Sequence, residues 1–447
     1  MSISSISQRE VFPSNRANAA NSWSYKNGNP TVVFDINPQE AYLMSGTLRL
    51  NFKLRLQQAA GTTAAPLYPN NNNADGTGAV EIRQNSKIGA LSAFSSITIT
   101  NSRNQTLERV LNAPRLAATL VPSGANFTSY ANELQLECGA TSSDDAQGRK
   151  QNSEMDICCR ILAGCFLMGE PIPLGGVGKG TDGLQIRLNL APSIEANYGA
   201  NAAGSFYEVL NPSLTFQVGI PAGGQLPSIQ ALPYTSFSSY YSVLSNSDET
   251  QNINCGLSSV ISTFSNFVPT SYIANETEDG LETYTLRNAP YTSDTQYAPI
   301  TQYTVFKQGL KYPYQFTVDE ASMIDQNGAN FLAEGYTAQR ERNFLSALQP
   351  MKDRVATLAG NISESGLGVA PTLDENQDRY NTLGKHVFGC GSRCDGLGVG
   401  GTANYKNASF SHRFRSDLNG VSPNSVYTFM LHRNMINYGA GGISVAN

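Results

Sequence analysis

The sequence predicts an all-β protein made of two tandem eight-stranded antiparallel jelly rolls with short helical insertions. Three observations support this prediction. Apolar and polar residues alternate with a period of two from end to end, helical patterns are few and short, and a Pro- and Gly-rich segment lies near the midpoint. A chain of 447 residues is long enough for two all-β domains of about 200 residues each.

The clearest strand pattern covers residues 47–56, where Leu and Phe alternate with Arg, Asn and Lys. This period is typical of a strand with one buried and one solvated face. The same alternation returns at residues 184–190, 214–218 and 410–414. Shorter β-like segments occur at residues 31–36, 96–100, 303–306 and 426–431.

Helical patterns occur in three places. Residues 106–120 have apolar residues near helical spacing, but Pro114 must kink or divide the helix. The other two candidates are residues 125–137 and residues 337–349, the latter stopped by Pro350. None alternates regularly with strands as a βαβ protein requires, so antiparallel sandwiches with helical insertions are the better interpretation.

The midpoint segment, residues 219–233 (GIPAGGQLPSIQALP), is uncharged and typical of a domain boundary. It predicts a first jelly roll at residues 27–225 and a second at residues 226–447. Residues 1–26 are rich in Ser and Asn and are predicted to form an N-terminal arm with no core of its own. We expect such an arm to order only against another chain.

Composition excludes several classes of protein. A net charge of −5, with no block of Lys and Arg, argues against a protein that grips nucleic acid through its phosphates. No signal peptide is visible at the N-terminus, and the longest apolar stretch, residues 161–168, is too short to span a membrane. We expect synthesis inside a cell, with the seven Cys mostly buried and reduced.

One cluster of residues resembles a metal site. His386, Cys390 and Cys394 could offer one nitrogen and two sulfurs to zinc, but a fourth ligand at regular spacing is missing. We interpret them as strand-end residues and predict no metal and no cofactor. His412 is the middle residue of Phe410–His412–Phe414; we expect it to face away from both rings rather than act as a base.

Catalytic and phosphate-binding motifs are not supported. Residues 396–401 (GLGVGG) have G-x-G-x-x-G spacing, but a strand pattern follows where a helix is needed. Residues 175–180 (GGVGKG) lack the Ser or Thr that follows Lys in a P-loop. G-x-S-x-G and H-E-x-x-H do not occur. We therefore assign no catalytic, cofactor-binding or metal residue and predict that the protein is not an enzyme.

The remaining features favour a structural protein. Low charge together with 21 Tyr and 19 Phe suits extensive subunit contacts, since interface cores lose charge and gain aromatic residues. Two long polar loops, residues 57–78 and 275–299, are typical of a binding surface or a partner's interface.

Several blocks of the sequence resemble one family in their order and spacing. They begin with NPTVVFDINPQEAYLMSGTLRLNFKLRL (residues 29–56) and IGALSAFSSITITNSRNQTLERVLNAPRLAATLV (residues 88–121). The blocks QYTVFKQGLKYPYQFTVDEA, HVFGCGSRCDGLGVGGTANYKNASFSHRF and NSVYTFMLHRNMINYGAGGISV follow in the second half. Together they resemble the double jelly-roll major capsid proteins of small icosahedral double-stranded DNA viruses, closest to the virophage and polinton-like virus group.

This resemblance implies a major capsid protein. Three chains would form a homotrimeric, pseudo-hexameric capsomer that tiles the icosahedral shell. The implied partners are neighbouring capsomers, penton and minor capsid proteins, with at most loose contact with packaged DNA and no small-molecule substrate. The implied location is the virion, after synthesis in a host cell, with residues 1–26 under the shell.

Two other functions stay open at this point. A carbohydrate-binding or fibre-type β-sandwich protein, such as a minor capsid component or adhesin, would need an aromatic platform or a cation site at a barrel mouth. The single Trp, Trp23, lies in the predicted arm. An enzyme built on a jelly roll ranks third, because neither a His-rich metal cluster nor a recognisable carboxylate pair is present.

Overall fold

The fold was analysed in a computed structural model of the chain. The structure describes residues 3–15, 21–57, 84–85, 88–124, 155–175, 183–197, 206–224, 226, 230–246, 248–270, 273, 281, 300–307, 314–319, 389–393, 402, 404–407, 409–416, 424–439 and 442–446. These residues form four antiparallel sheets, two in each half of the chain.

The first half contains a seven-stranded and a four-stranded sheet. The larger sheet consists of β1 (Ile3–Val11), β2 (Ser22–Trp23), β4 (Tyr42–Leu43), β5 (Arg49–Gln57), β8 (Met155–Cys159), β9 (Ile172–Pro173) and β11 (Phe206–Pro221). The smaller sheet consists of β3 (Thr31–Ile36), β6 (Phe94–Asn101), β7 (Thr106–Leu111) and β10 (Leu184–Leu190).

The second half contains a five-stranded and a four-stranded sheet. The larger sheet consists of β12 (Gln230–Leu244), β14 (Val260–Pro269), β17 (Gly389–Arg393), β19 (Asn424–Gly439) and β20 (Gly442–Ala446). The smaller sheet consists of β13 (Asp248–Ile253), β15 (Ile300–Lys307), β16 (Tyr314–Asp319) and β18 (Phe410–Ser416).

The two halves have the same strand order. In the second half the sheets run β12-β19-β14-β17 and β13-β18-β15-β16. In the first half β11, β5 and β8 take the places of β19, β14 and β17, while the smaller sheet runs β3-β10-β6-β7. Strands β1 and β2, both paired with β11, together take the place of β12. Each half is therefore an eight-stranded jelly roll with added short strands, as the sequence predicted.

The N-terminal residues correct one prediction. Strand β1 pairs antiparallel with β11 of the same chain, and Trp23 in β2 is 1% exposed within the hydrophobic core. The prediction that residues 1–26 have no core and order only against another chain is wrong for the residues described. The strand was missed because β1 is polar and largely exposed on both faces, so its pairing depends on backbone hydrogen bonds.

The helices of the described chain are short. They are a 3-10 helix (Gly89–Ala93), α1 (Ala113–Gly124), α2 (Gly164–Leu167) and α3 (Ser193–Ala196). Among the described residues, no helix is long and apolar enough to cross a membrane.

The predicted helix at residues 106–120 is partly wrong. Its first part is strand β7, and the chain turns at Asn112, which has a φ of +51°, before α1 begins. Pro114 lies in the first turn of α1, where its missing N–H costs no hydrogen bond, so it neither kinks nor divides the helix. The predicted helices at residues 125–137 and 337–349 lie outside the described residues.

The period-two segments of the sequence are strands in the structure. The four alternating segments fall in β5, β10, β11 and β18, and the four shorter segments fall in β3, β6, β15 and β19. The midpoint connection is shorter than predicted, since β11 ends at Pro221 and β12 begins at Gln230. Apart from Gln57 and Leu281, the two predicted long loops lie outside the described residues.

The core lies between the paired sheets and continues from one jelly roll to the other. Phe52 of β5 and Phe94 of β6 come from the two facing sheets of the first jelly roll. Their rings meet edge to face with centroids 5.5 Å apart. The same apolar cluster includes Tyr234, Phe264 and Tyr438 from the second jelly roll. The two jelly rolls therefore share buried surface, and the polar groups at that junction need internal partners.

A candidate functional site at the junction of the two jelly rolls

The junction is formed by β7, α1 and α2 of the first jelly roll and by β12, β14 and β19 of the second. The backbones come very close at Gly164 in α2, where a Cβ atom would lie 1.8 Å from the carbonyl oxygen of Thr235 in β12. Only glycine fits this contact without a shift of the backbone. A hydrogen bond also crosses the junction, from the Asn266 side chain in β14 to the Thr119 hydroxyl in α1.

A buried carboxylate lies at the centre of the junction. Glu108 of β7 is 3% exposed and accepts hydrogen bonds from the backbone N–H groups of Gly164 (3.0 Å) and Cys165 (2.8 Å). Its third donor is the Ser236 hydroxyl of β12, at 2.8 Å. Burial raises the pKa of Glu108, while the hydrogen bonds act in the opposite direction. The carboxylate therefore joins two elements of the first jelly roll to a strand of the second.

A chain of side-chain hydrogen bonds continues from this point into the second jelly roll. The Tyr234 hydroxyl donates to the Leu107 carbonyl at 2.8 Å, and the Asn434 amide donates to the Tyr234 oxygen at 3.3 Å. His432 lies 3.0 Å from Asn434 through Nδ1 and 3.0 Å from the Ser238 hydroxyl through Nε2. Burial lowers the pKa of His432 to about 4, so the ring is neutral at pH 7.

The geometry of this network suits a structural role, in which it fixes the orientation of one jelly roll relative to the other, rather than catalysis. Each side chain of the network that runs from Glu108 to His432 has a hydrogen-bond partner within it. The Cys165 thiol stays protonated, because burial and the neighbouring Glu108 raise its pKa well above the ordinary value. A satisfied buried network is expensive to break, because separating its members leaves polar groups without partners. The junction therefore holds the two jelly rolls in one relative arrangement.

A second polar and aromatic contact lies beside α1. The Asn112 side chain donates to the Ser239 hydroxyl of β12 at 2.7 Å. The guanidinium of Arg115, a residue only 3% exposed, lies over the Tyr427 ring of β19, with its carbon 5.0 Å from the ring centroid. This is a cation–π contact across the junction.

The N-terminal strands are anchored by a second buried carboxylate. Glu208 of β11 accepts hydrogen bonds from the Ser22 hydroxyl at 3.1 Å and the Asn27 amide at 3.2 Å. The Arg55 guanidinium lies 3.6 Å from the other carboxylate oxygen. Together with the buried ring of Trp23, these contacts attach β2 to the first jelly roll.

The metal candidate is not brought together by the described residues. Cys390 lies in β17, whereas His386, Cys394 and the glycine motif at residues 396–401 lie outside the described chain. Among described residues, no group of three His, Cys, Asp or Glu side chains could hold a metal ion.

The described cysteines differ in burial, and strand β8 shows the reason. Cys158 is exposed and its neighbour Cys159 is buried, because successive strand residues face opposite sides. Cys165 is buried and Cys255 is half-buried. The prediction that the cysteines are mostly buried is confirmed for two of these four.

The predicted orientation of His412 is wrong. Its ring lies edge to face with both neighbours in the pattern, 5.0 Å from Phe410 and 4.4 Å from Phe414 between centroids. Residues two apart in a strand share a face, so a period of two places all three rings together in the core. Burial lowers the pKa of His412 to about 3, and the ring packs in the core as a neutral group.

Comparison with solved structures identifies the fold, although no protein-family model and no curated protein matches the chain. The PBCV-1 virus capsid gives a TM-score of 0.53 at 9% identity, over 99% of this chain and 96% of the other. The Sputnik virophage structure gives 0.52 at 10% identity, over 100% and 89%. The Faustovirus major capsid protein gives 0.52 at 10% identity, over 96% and 90%.

The chain has the fold of viral double jelly-roll capsid proteins. The similarity covers nearly the whole length of both chains in each comparison, so it includes both jelly rolls. In this double jelly-roll, the Glu108 network and Gly164 lie where the two jelly rolls of one chain meet.

Proposed function

We propose that the protein is the major capsid protein of an icosahedral double-stranded DNA virus. The observation that supports this most directly is the presence of two jelly rolls with the same strand order in one chain. Three copies around a threefold axis place six similar barrels in a ring, which is a pseudo-hexameric unit able to tile a closed shell.

The junction supports the same proposal. A pseudo-hexamer requires a fixed angle between the two jelly rolls of each chain. If that angle varied in one chain, its two jelly rolls could not both keep their contacts with the neighbouring chains. The buried Glu108 network and the close approach at Gly164 supply this rigidity. The similarity to viral capsid proteins along nearly the whole chain supports a structural role rather than catalysis.

The proposed partners are two further copies in the homotrimer, neighbouring capsomers, penton and minor capsid proteins, all within the virion. With a net charge of −5, contact with packaged DNA would be loose. We also propose that the boundary between the two jelly rolls lies between residues 225 and 226, and that β1 and β2 belong to the first jelly roll.

The proposal is tested by the mass of the purified full-length chain, measured by light scattering. The expected result is a stable trimer at three times the chain mass of 48.0 kDa. A species that stays monomeric at tens of micromolar would contradict the capsomer. In that case screening against a glycan array would test the carbohydrate-binding alternative.

A further inference from the structure

A cavity of about 340 Å³ lies between the two jelly rolls, beside α1. The first jelly roll contributes Asn112, Arg115 and Glu195 to its lining, and the second contributes Tyr241 and Tyr427. This volume is at the lower end of the range of about 300–1,000 Å³ for small-molecule sites. The cavity is therefore large enough for a small organic ligand that touches both jelly rolls.

The charges of the lining are arranged by depth. Arg115 is buried and is the only basic residue among the described residues of the lining. Glu195, the only acidic residue among them, is an exposed residue of α3 by surface area, although partial burial of its carboxyl raises its pKa. The more deeply buried of the two charges is therefore the positive one. Since guanidinium carries five N–H donors in a planar fork, a ligand carboxylate can pair with it.

The walls of the cavity are aromatic and apolar. The Tyr241 and Tyr427 rings have centroids 5.1 Å apart, and Tyr241 is 51% exposed. Pro114, Ile273 and Leu281 add apolar side chains to the lining. Apolar and aromatic walls around a few polar groups are typical of a small-molecule site.

We propose that this cavity binds a small monocarboxylate with an apolar body. The carboxylate pairs with the Arg115 guanidinium, and the body lies against the Tyr241 and Tyr427 rings. Because the ligand touches both jelly rolls, its binding stabilises their junction by mass action. The ligand is bound and not converted.

The test uses isothermal titration calorimetry on the full-length chain at pH 7, with phenylbutyrate as the probe and phenylbutanol as its neutral analogue. We expect saturable binding of phenylbutyrate, at least about tenfold tighter than that of phenylbutanol, because only the acid pairs with Arg115. Equal affinity of the two probes, or no saturable binding of phenylbutyrate up to millimolar concentration, would overturn the proposal.

A pair of matched variants locates the site. Tyr241→Ala and Tyr25→Ala remove side chains that are 51% and 50% exposed, so both variants should fold. We expect Tyr241→Ala to weaken phenylbutyrate binding about tenfold and Tyr25→Ala, outside the cavity lining, to leave it unchanged. An equal effect of the two would contradict the assigned site. Because calorimetry measures binding in monomer or trimer alike, failure here is distinguishable from failure of the capsomer proposal.

Discussion

The Ser236 hydroxyl of the second jelly roll donates a hydrogen bond to the Glu108 carboxylate of the first, with 2.8 Å between Oγ and Oε1. Both residues are buried, and 128 positions separate them in the chain. The same carboxylate accepts the backbone N–H groups that begin α2. This one side chain therefore connects three elements, and its hydrogen bond with Ser236 exists only when both jelly rolls are in place.

The Glu108–Ser236 hydrogen bond can be measured by a double-mutant cycle. We expect Ser236→Ala to lower the free energy of unfolding by about 1–3 kcal/mol, because a buried carboxylate loses a donor. Glu108→Gln should be coupled to it by about 0.5–3 kcal/mol in urea denaturation. Ser4→Ala, which removes an exposed hydroxyl bonded to the Ile220 carbonyl, is the control and should stay within about 0.5 kcal/mol of wild type. Additive effects of the Glu108 and Ser236 variants would show that the bond does not connect the jelly rolls.

Gly164 should be the least tolerant glycine of the junction. Gly164→Ala places a methyl group against the Thr235 carbonyl, and we expect a loss of at least about 1–3 kcal/mol in thermal or urea unfolding. Gly169→Ala is the matched control, because an added Cβ there has no neighbour within 4 Å. Similar stability of the two variants would contradict the close approach of the backbones.

Trp23 tests whether the N-terminal residues belong to the first jelly roll. We expect Trp23→Ala to destabilise the protein by about 3–5 kcal/mol, since it removes a large side chain from the core. Tyr25→Ala, two residues away and half exposed, should change stability by less than about 1 kcal/mol. If both substitutions were harmless, the N-terminal residues would be the free arm predicted from sequence.

Acid should weaken the junction through His432. Its pKa is lowered from 6.5 in the unfolded chain to about 4 in the fold, so only the unfolded state binds a proton between these values. Stability therefore falls as pH drops from 6.5 to about 4, by about 3 kcal/mol from this residue. The opposite contribution of Glu108, whose pKa is raised, is common to wild type and variant. We expect His432→Gln to show a flatter dependence of stability on pH in this range, and an unchanged slope would contradict the assignment.

The alternating strands could be predicted from sequence because each buries one face against the opposite sheet. Strand β10 shows this directly, since Leu184, Ile186 and Leu188 are buried between more exposed neighbours. Strand β1 could not be found in this way, because backbone pairing with β11 holds it while both its faces are largely exposed. The period of hydrophobicity reports burial of side chains and not hydrogen bonding of the backbone.

Strand β7 shows a second limit of sequence reasoning. Thr106 pairs with Thr100 and Glu108 with Ile99, so Leu107 is an extra, bulged residue. The bulge places buried Leu107 and Val110 three apart, which imitates helical spacing. Glu108 was overlooked for a related reason, because its burial depends on Ser236 and on α2, which are distant in the chain. The sequence signal for this buried site is the acidic residue Glu108 between the apolar residues Leu107 and Val110.

Electron microscopy of the purified full-length protein tests the central claim most directly. Class averages of the particles should show a pseudo-hexagonal outline with threefold symmetry, made of six similar barrels, two from each chain. Particles with a single pair of barrels, or a ring in which the two jelly rolls of a chain vary in relative angle, would contradict the capsomer built on a rigid junction.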